Sequence, residues 1–295
     1  MTRKQLTEQI FFKHSYLCVG LDTDHTKIPK HLSSHSDPVF EFNRQIIDAT
    51  KDLCVGYKIN TAFYEAMGLK GWESLEKTIN YIPAEHFKVA DAKRGDIGNT
   101  SSQYAKAFFE TLHFDAITVS PYMGEDSVKP FLEYKDKWTI LLGLTSNPGA
   151  KDFELQKLSL TVETLEEGRH ISKRKDIFLY EQVLETASRW GTTDNLMFVT
   201  GATQADEFSN IRKITPNHFY LVPGVGSQGG SLNDISKKAL IADCGLLVNI
   251  SRPIIYSSGK EDFAEEARAV AKQYQQEMKR YLVKRQTANG KRNKC

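Results

Sequence analysis

A single-domain α/β fold, a closed (β/α)8 TIM barrel, is what this sequence predicts, and three observations carry the prediction. Short apolar runs rich in β-branched residues recur eight times, with helix-like patterns between most of them. Polar residues stand at the downstream ends of several runs, at Asp22, Lys58, Asp91, Lys93, Ser146, Gln228 and Arg252. No G-x-G-x-x-G follows the first run, which argues against the rival open, doubly wound sheet. In a barrel all strand ends of one sense meet at one face, so residues far apart in sequence converge there.

The eight strands read as Tyr16–Asp22, Val55–Asn60, Phe87–Lys93, Ala116–Tyr122, Trp138–Leu144, Leu196–Gly201, His218–Gly224 and Gly245–Ser251. Each is a short, mostly apolar run, the pattern of a strand buried on both faces. Helical periodicity fills Val39–Lys51, Ser101–Leu112, Ile177–Trp190 and Asp262–Lys284. The barrel is expected over residues 1–286. Residues 147–176 break the repeat as a long charged insertion after the fifth strand, with Asn147-Pro148-Gly149 and Ser172-Lys173-Arg174-Lys175 inside it. Such a connection is either a cover for the site or a surface excursion. Residues 287–295 read as a basic, frayed tail.

Composition removes several classes of function. Across 295 residues, Lys+Arg 39 against Asp+Glu 37 leaves a net charge of +2, which offers no general attraction to nucleic acid or an anionic membrane. The Met-Thr-Arg-Lys-Gln start lacks a secretory apolar stretch, and no apolar run approaches bilayer length, so a cytoplasmic protein is expected. Cys18, Cys54 and Cys244 stand singly in or beside apolar runs, and Cys295 is the last residue. That spacing argues against a disulfide framework or structural zinc, and no metal site is expected.

Charge is concentrated in Val89-Ala90-Asp91-Ala92-Lys93-Arg94-Gly95-Asp96-Ile97-Gly98-Asn99-Thr100. Strand alternation would place Phe87, Val89, Asp91 and Lys93 on one face. An inward ion pair is costly to desolvate unless it is used, which points to a catalytic lysine held between carboxylates. Asp96 adds a second carboxylate in the glycine-flanked turn beyond. After the seventh strand, Pro223-Gly224-Val225-Gly226-Ser227-Gln228-Gly229-Gly230 can bring backbone N–H groups to an anion, with Gln228 as a side-chain donor. Arg252 follows the eighth strand, and its guanidinium fork suits phosphate. Barrels often hold phosphate with the loops after these two strands.

These residues resemble the orotidine 5′-phosphate decarboxylase family, in its longer bacterial type. The most specific stretch is Asp91 to Thr100, which is similar to the family's D-x-K-x-x-D-I-x-x-T pattern. Leu144-Thr145-Ser146-Asn147-Pro148-Gly149 and Pro223 to Gly230 resemble its base and phosphate loops, and the likeness runs from Val19-Gly20-Leu21-Asp22 to Val248-Asn249-Ile250-Ser251-Arg252. The resemblance implies a homodimeric barrel that converts orotidine 5′-monophosphate (OMP) to uridine 5′-monophosphate (UMP) and CO₂ without a cofactor. It implies a charged tetrad of Lys58, Asp91, Lys93 and Asp96, with Asp96, accompanied by Thr100, reaching into the partner subunit's site. Asp22 and Lys58 would hold the ribose hydroxyls and Ser146 the pyrimidine. Pro223, Gln228, Ser251 and Arg252 would take the phosphate; Ser251 stands where some shorter members carry glycine. The nearest rival is a Mg²⁺-dependent sugar-phosphate decarboxylase or aldolase of the same barrel group, which shares D-x-K-x-x-D. Lys58 and the Leu144–Gly149 stretch favour the pyrimidine enzyme.

Overall fold

The computed structural model describes residues 1–292 other than 167, 168 and 227, with only the backbone of residues 162–171, 173 and 286–292. Its strands in chain order are β1 (Leu17–Gly20), β2 (Gly56–Asn60), β3 (Phe87–Arg94), β4 (Ala116–Val119), β5 (Trp138–Leu144), β6 (Lys157–Glu166), β7 (Arg169–Phe178), β8 (Leu196–Thr200), β9 (Phe219–Pro223) and β10 (Leu246–Ile250). All but β6 and β7 are parallel and close into one barrel in the order β1-β10-β9-β8-β5-β4-β3-β2. Closure runs through β1, where Val19 faces Ile250 on one side and Tyr57 on the other. Every residue of β1, β4, β8 and β10 is buried, as expected of parallel strands covered on both faces.

The eight expected strands are all present in order. Four of them end one or two residues earlier than the sequence pattern suggests, because Asp22, Gly201, Gly224 and Ser251 already belong to the loops at the mouth; β4 stops three residues early, at Val119, and β3 runs one residue further, to Arg94. The helix read over Ser101–Leu112 runs Gly98–Lys106 and then widens into a π turn over Ala107–Thr111. The helix read from Ile177 starts at Leu179, since Ile177 and Phe178 belong to β7. The last helix extends over Phe263–Arg292, so the stretch read as a frayed tail is helical through Arg292. Residues 293–295 lie outside the described residues.

The insertion after β5 is not an irregular loop. After a 3₁₀ turn at Pro148–Asp152 it forms the antiparallel hairpin β6–β7, with Lys157 opposite Phe178 at its foot. Leu158, Leu160 and Val162 alternate with polar residues, a strand signal the charged composition obscured.

The N-terminal end of the barrel is plugged by the helix Arg3–Phe12. Thr2 and Gln5 form a capping box, and Leu6 and Ile10 are fully buried. The Met1 ammonium donates to Asp115 at 2.7 Å, just ahead of β4. Arg3 pairs with Asp243 and donates to the carbonyls of Thr193 and Asn217. Half-buried Arg212 instead donates to the carbonyls of His218, Ala239 and Gly245, at 2.6–2.8 Å, and stacks 3.8 Å over the Tyr220 ring. These contacts tie the strand-entry turns together and leave the other end open. Among the described residues no helix is long and apolar enough to cross a membrane.

Candidate active site

A cavity of about 270 Å³ opens at the C-terminal mouth of the barrel. One side is built by β1, β2 and β3, whose ends bring four charges into a chain of alternating sign. Lys58 Nζ lies 3.1 Å from Asp22 Oδ1 and 2.7 Å from Asp91 Oδ2, and Lys93 Nζ lies 2.6 Å from Asp91 Oδ1. All four line the cavity. The Lys58 side chain is only 4% exposed whereas that of Lys93 is 52% exposed, so Lys93 is the ammonium presented to whatever fills the cavity.

Burial alone pushes the Lys58 ammonium toward its neutral form, but the carboxylates of Asp22 and Asp91 outweigh it and hold its pKa above the ordinary lysine value. Burial likewise pushes Asp91 up. The two ammonium groups beside it prevail and hold its carboxyl well below the usual carboxylate range. Lys58 and Asp91 are therefore both charged at neutral pH.

Strand alternation alone does not deliver Lys93. Ala90 faces Ile117 and Arg94 faces Val119, so four residues along β3 answer two along β4 and the strand is bulged between them. Lys93 takes a positive φ of 47° there. Its N–H donates to Thr118 Oγ1 at 2.9 Å, and that hydroxyl donates to Asp91 Oδ1 at 3.1 Å. Thr118 on β4 thus fixes both the backbone of the lysine and the carboxylate of its partner. The sequence offered only one polar residue in an apolar strand as a hint.

Further round the barrel, past β1, the loops after β9 and β10 supply Pro223, Gly224, Val225, Gln228, Ser251 and Arg252 to the same cavity. Gly224 has a φ of 99°, and a Cβ there would sit 2.7 Å from Gln228 Oε1, so this turn closes only around glycine. Ser251 is buried and its Oγ would lie 1.8 Å from a Cβ on Gly20, which is why β1 ends on a residue without a side chain. Ser146 lines the cavity between its neighbours Thr145 and Asn147. Of the described residues between 147 and 176, only Asn147 reaches it.

Asp96 and Thr100 do not line the cavity of their own chain. Asp96 Oδ1 accepts the N–H of Ile97 at 2.8 Å, and Thr100 is exposed in the first turn of the Gly98–Lys106 helix. Sequence reasoning missed Asn60, Thr145, Asn147 and Asn249 as lining residues. Each sits at or just beyond a strand end, the position that identified the others. Asn249 is 6% exposed, and its Oδ1 faces no hydrogen-bond partner while its Nδ2 donates to Ser251 Oγ.

A closed (β/α)8 barrel with an alternating Lys–Asp–Lys array at its C-terminal mouth, and a glycine-rich loop after the penultimate strand, defines a barrel enzyme built for a small anionic substrate. Residues 15–270 match the Orotidine 5′-phosphate decarboxylase / HUMPS family, and the chain belongs to that family. It is 57% identical to an orotidine 5′-phosphate decarboxylase of Flavobacterium johnsoniae, over 94% of this chain and 97% of the relative. The identity to the protein of that name from Bacteroides fragilis (strain YCH46) is 53%, over 96% and 98%. Among solved structures, the OMP decarboxylase of Leishmania donovani superposes with a TM-score of 0.77 at 34% identity, covering 96% of this chain and 99% of that one. A putative orotidine-monophosphate decarboxylase from Toxoplasma gondii gives 0.79 at 32%, covering 95% and 97%.

Proposed function

We propose that this chain removes CO₂ from OMP to form UMP, the last step in making that nucleotide, as a carboxy-lyase that needs no cofactor. The observation that carries the reading is the unbroken chain Asp22–Lys58–Asp91–Lys93, with Lys93 alone half-exposed to the cavity. Full-length relatives at more than 50% identity carry the same activity in their names.

Breaking the bond from C6 to the carboxylate leaves its electron pair in the plane of the ring, where the π system cannot spread it. Fixed positive charge beside C6 must do so instead, and the Lys93 ammonium supplies it and then delivers the proton to C6. Asp91 faces the departing carboxylate, and their repulsion falls as neutral CO₂ leaves; this is a secondary contribution. Lys58 holds Asp91 in place and, with Asp22, takes the ribose hydroxyls. Ser146 contacts the pyrimidine. Pro223, Gln228, Ser251 and Arg252 hold the phosphate, whose binding energy closes the loops over the ring.

The working unit in this reading is a homodimer in the cytoplasm, with Asp96 and Thr100 completing the partner subunit's site. Ile97 and Tyr122 are 58% and 88% exposed on adjoining turns, large apolar side chains suited to burial against a second copy. Lys93→Ala and Asp96→Ala dimers should each be nearly inactive. In a hybrid, one site keeps Lys93 and receives Asp96 from the other chain, while the second site lacks both. Equal mixing by refolding makes about half the dimers hybrid, so about a quarter of wild-type activity should return. A mixture that exchanges subunits and regains nothing would place Asp96 within its own site.

The direct test is loss of OMP absorbance in metal-free buffer. Turnover unchanged by EDTA supports the proposal; activity on a sugar phosphate that disappears with EDTA would establish the Mg²⁺-dependent rival.

A further inference from the structure

The insertion that forms the hairpin β6–β7 leaves the barrel immediately after the segment Thr145–Asn147, and one carboxylate at the hairpin's foot turns back to grip that segment. Glu154 Oε2 accepts the Thr145 N–H at 2.6 Å, and Thr145 Oγ1 lies 2.8 and 3.0 Å from the two carboxylate oxygens. β5 ends at Leu144, so this N–H is the first beyond the strand. Charge-assisted bonds of this kind are roughly twice as strong as neutral ones.

Glu154 is itself tied to the hairpin foot. Its carbonyl accepts the N–H of Tyr180 at 2.9 Å, and the Leu179 N–H donates to Gln156, just before the Lys157–Phe178 pair. The other side of the segment is held by β8 and the turn after it. Thr203 Oγ1 donates to the Ser146 carbonyl at 3.2 Å, and a Cβ on Gly201 would lie 2.6 Å from the Ser146 backbone. Ser146 is thus clamped between a close-packed glycine turn and a carboxylate anchored in the insertion. The Thr145 hydroxyl also lies 2.6 Å from Asn147 Oδ1, and its one proton cannot serve three acceptors. With the Asn147 amide turned, its NH₂ donates to Thr145, whose proton goes to Glu154. The carboxylate then fixes the direction of hydrogen bonding along this wall of the cavity.

The geometry points to Glu154 as a positioning residue that holds the Thr145–Asn147 wall in the shape that receives the substrate's base. The hairpin serves the site by anchoring this carboxylate. This inference rests on the decarboxylase reading, because that reading assigns the base to Ser146.

The test compares two ligands by calorimetry: UMP, which carries the base, and ribose 5-phosphate, which does not. Glu154→Ala should weaken UMP binding and raise KM for OMP on the order of tenfold, while the affinity for ribose 5-phosphate stays within about twofold. Glu154→Gln, which keeps an oxygen for the Thr145 N–H, should bring UMP binding back to within about threefold of wild type. If Glu154→Ala does not fold, Glu154→Asp replaces it; its shortened side chain cannot reach both donors, and the same split between ligands is expected. Equal weakening of both ligands, or of neither, overturns the inference. A wild-type enzyme that releases no CO₂ from OMP refutes the decarboxylase reading instead.

Discussion

At the C-terminal mouth Lys58 is buried and Asp91 largely so, and both are held in their charged forms, each by opposite charges on both sides. At the N-terminal end His218 and His86 are buried and driven the other way. Burial pushes His218 down to about 4, and the nearby Arg3 and Arg212 add to it. Burial and the neighbouring Lys13 ammonium likewise lower His86. Neither nitrogen of His218 has a hydrogen-bond partner. The two ends share a desolvated interior and differ in the sign of the neighbours. Where work must be done on a substrate, the fold keeps charge inside by alternating its sign; where it only closes the barrel, buried imidazoles are kept neutral.

The largest effect should come from the mouth. Lys93→Ala is expected to lose on the order of 3 kcal/mol or more of transition-state stabilisation, over a hundredfold in kcat, while UMP still binds. Its melting temperature should change little, because the Lys93 side chain is half-exposed. Near-normal turnover would remove Lys93 from the chemistry, and a large loss of stability would erase the division between the two ends.

Arg252→Ala sharpens the comparison within the mouth itself. It should strongly reduce turnover of OMP and hardly affect the slow reaction of the nucleoside lacking phosphate. Equal losses on both substrates would make Arg252 a folding residue.

The closed end should answer to pH through stability and leave kcat alone. The folded pKa of His218 is about 4, below the value near 6.5 in the unfolded chain, so the unfolded chain takes up the proton first as pH falls. Stability from this group is complete above about 6.5 and drains between there and about 4, by at most ~3 kcal/mol. His218→Leu should flatten that part of a denaturation profile, and an unchanged acid slope would show that another group carries it. The smallest effect concerns the thiols ahead of β2 and β10: burial pushes Cys54 up to about 11 and Cys244 up to about 12. Iodoacetamide at pH 8 should leave both unlabelled in the native protein and label both in guanidinium. Native labelling of either would mean that this end opens.

The barrel was legible because buried parallel strands announce themselves as apolar runs, and their order on the chain is their order of use. The site was legible because residues such as Asp22, Lys58 and Arg252 interrupt that pattern at strand ends. Lys93 was found for an incomplete reason: alternation points it inward, but a bulge and Thr118 place it, and a bulge leaves no periodic trace. Glu154 escaped notice because its role depends on a hairpin folding back nine residues onto Thr145. The hairpin itself was hidden by charges that drew attention away from the alternation of Leu158, Leu160 and Val162.

The alternating array also bears on how fast a substrate can arrive. Asp22, Lys58, Asp91 and Lys93 sum to zero charge, so from beyond a Debye length of about 8 Å at physiological salt they exert almost no pull on an anion. With no net charge in the array to steer it, an anionic ligand should show an association rate that declines only gently as ionic strength rises.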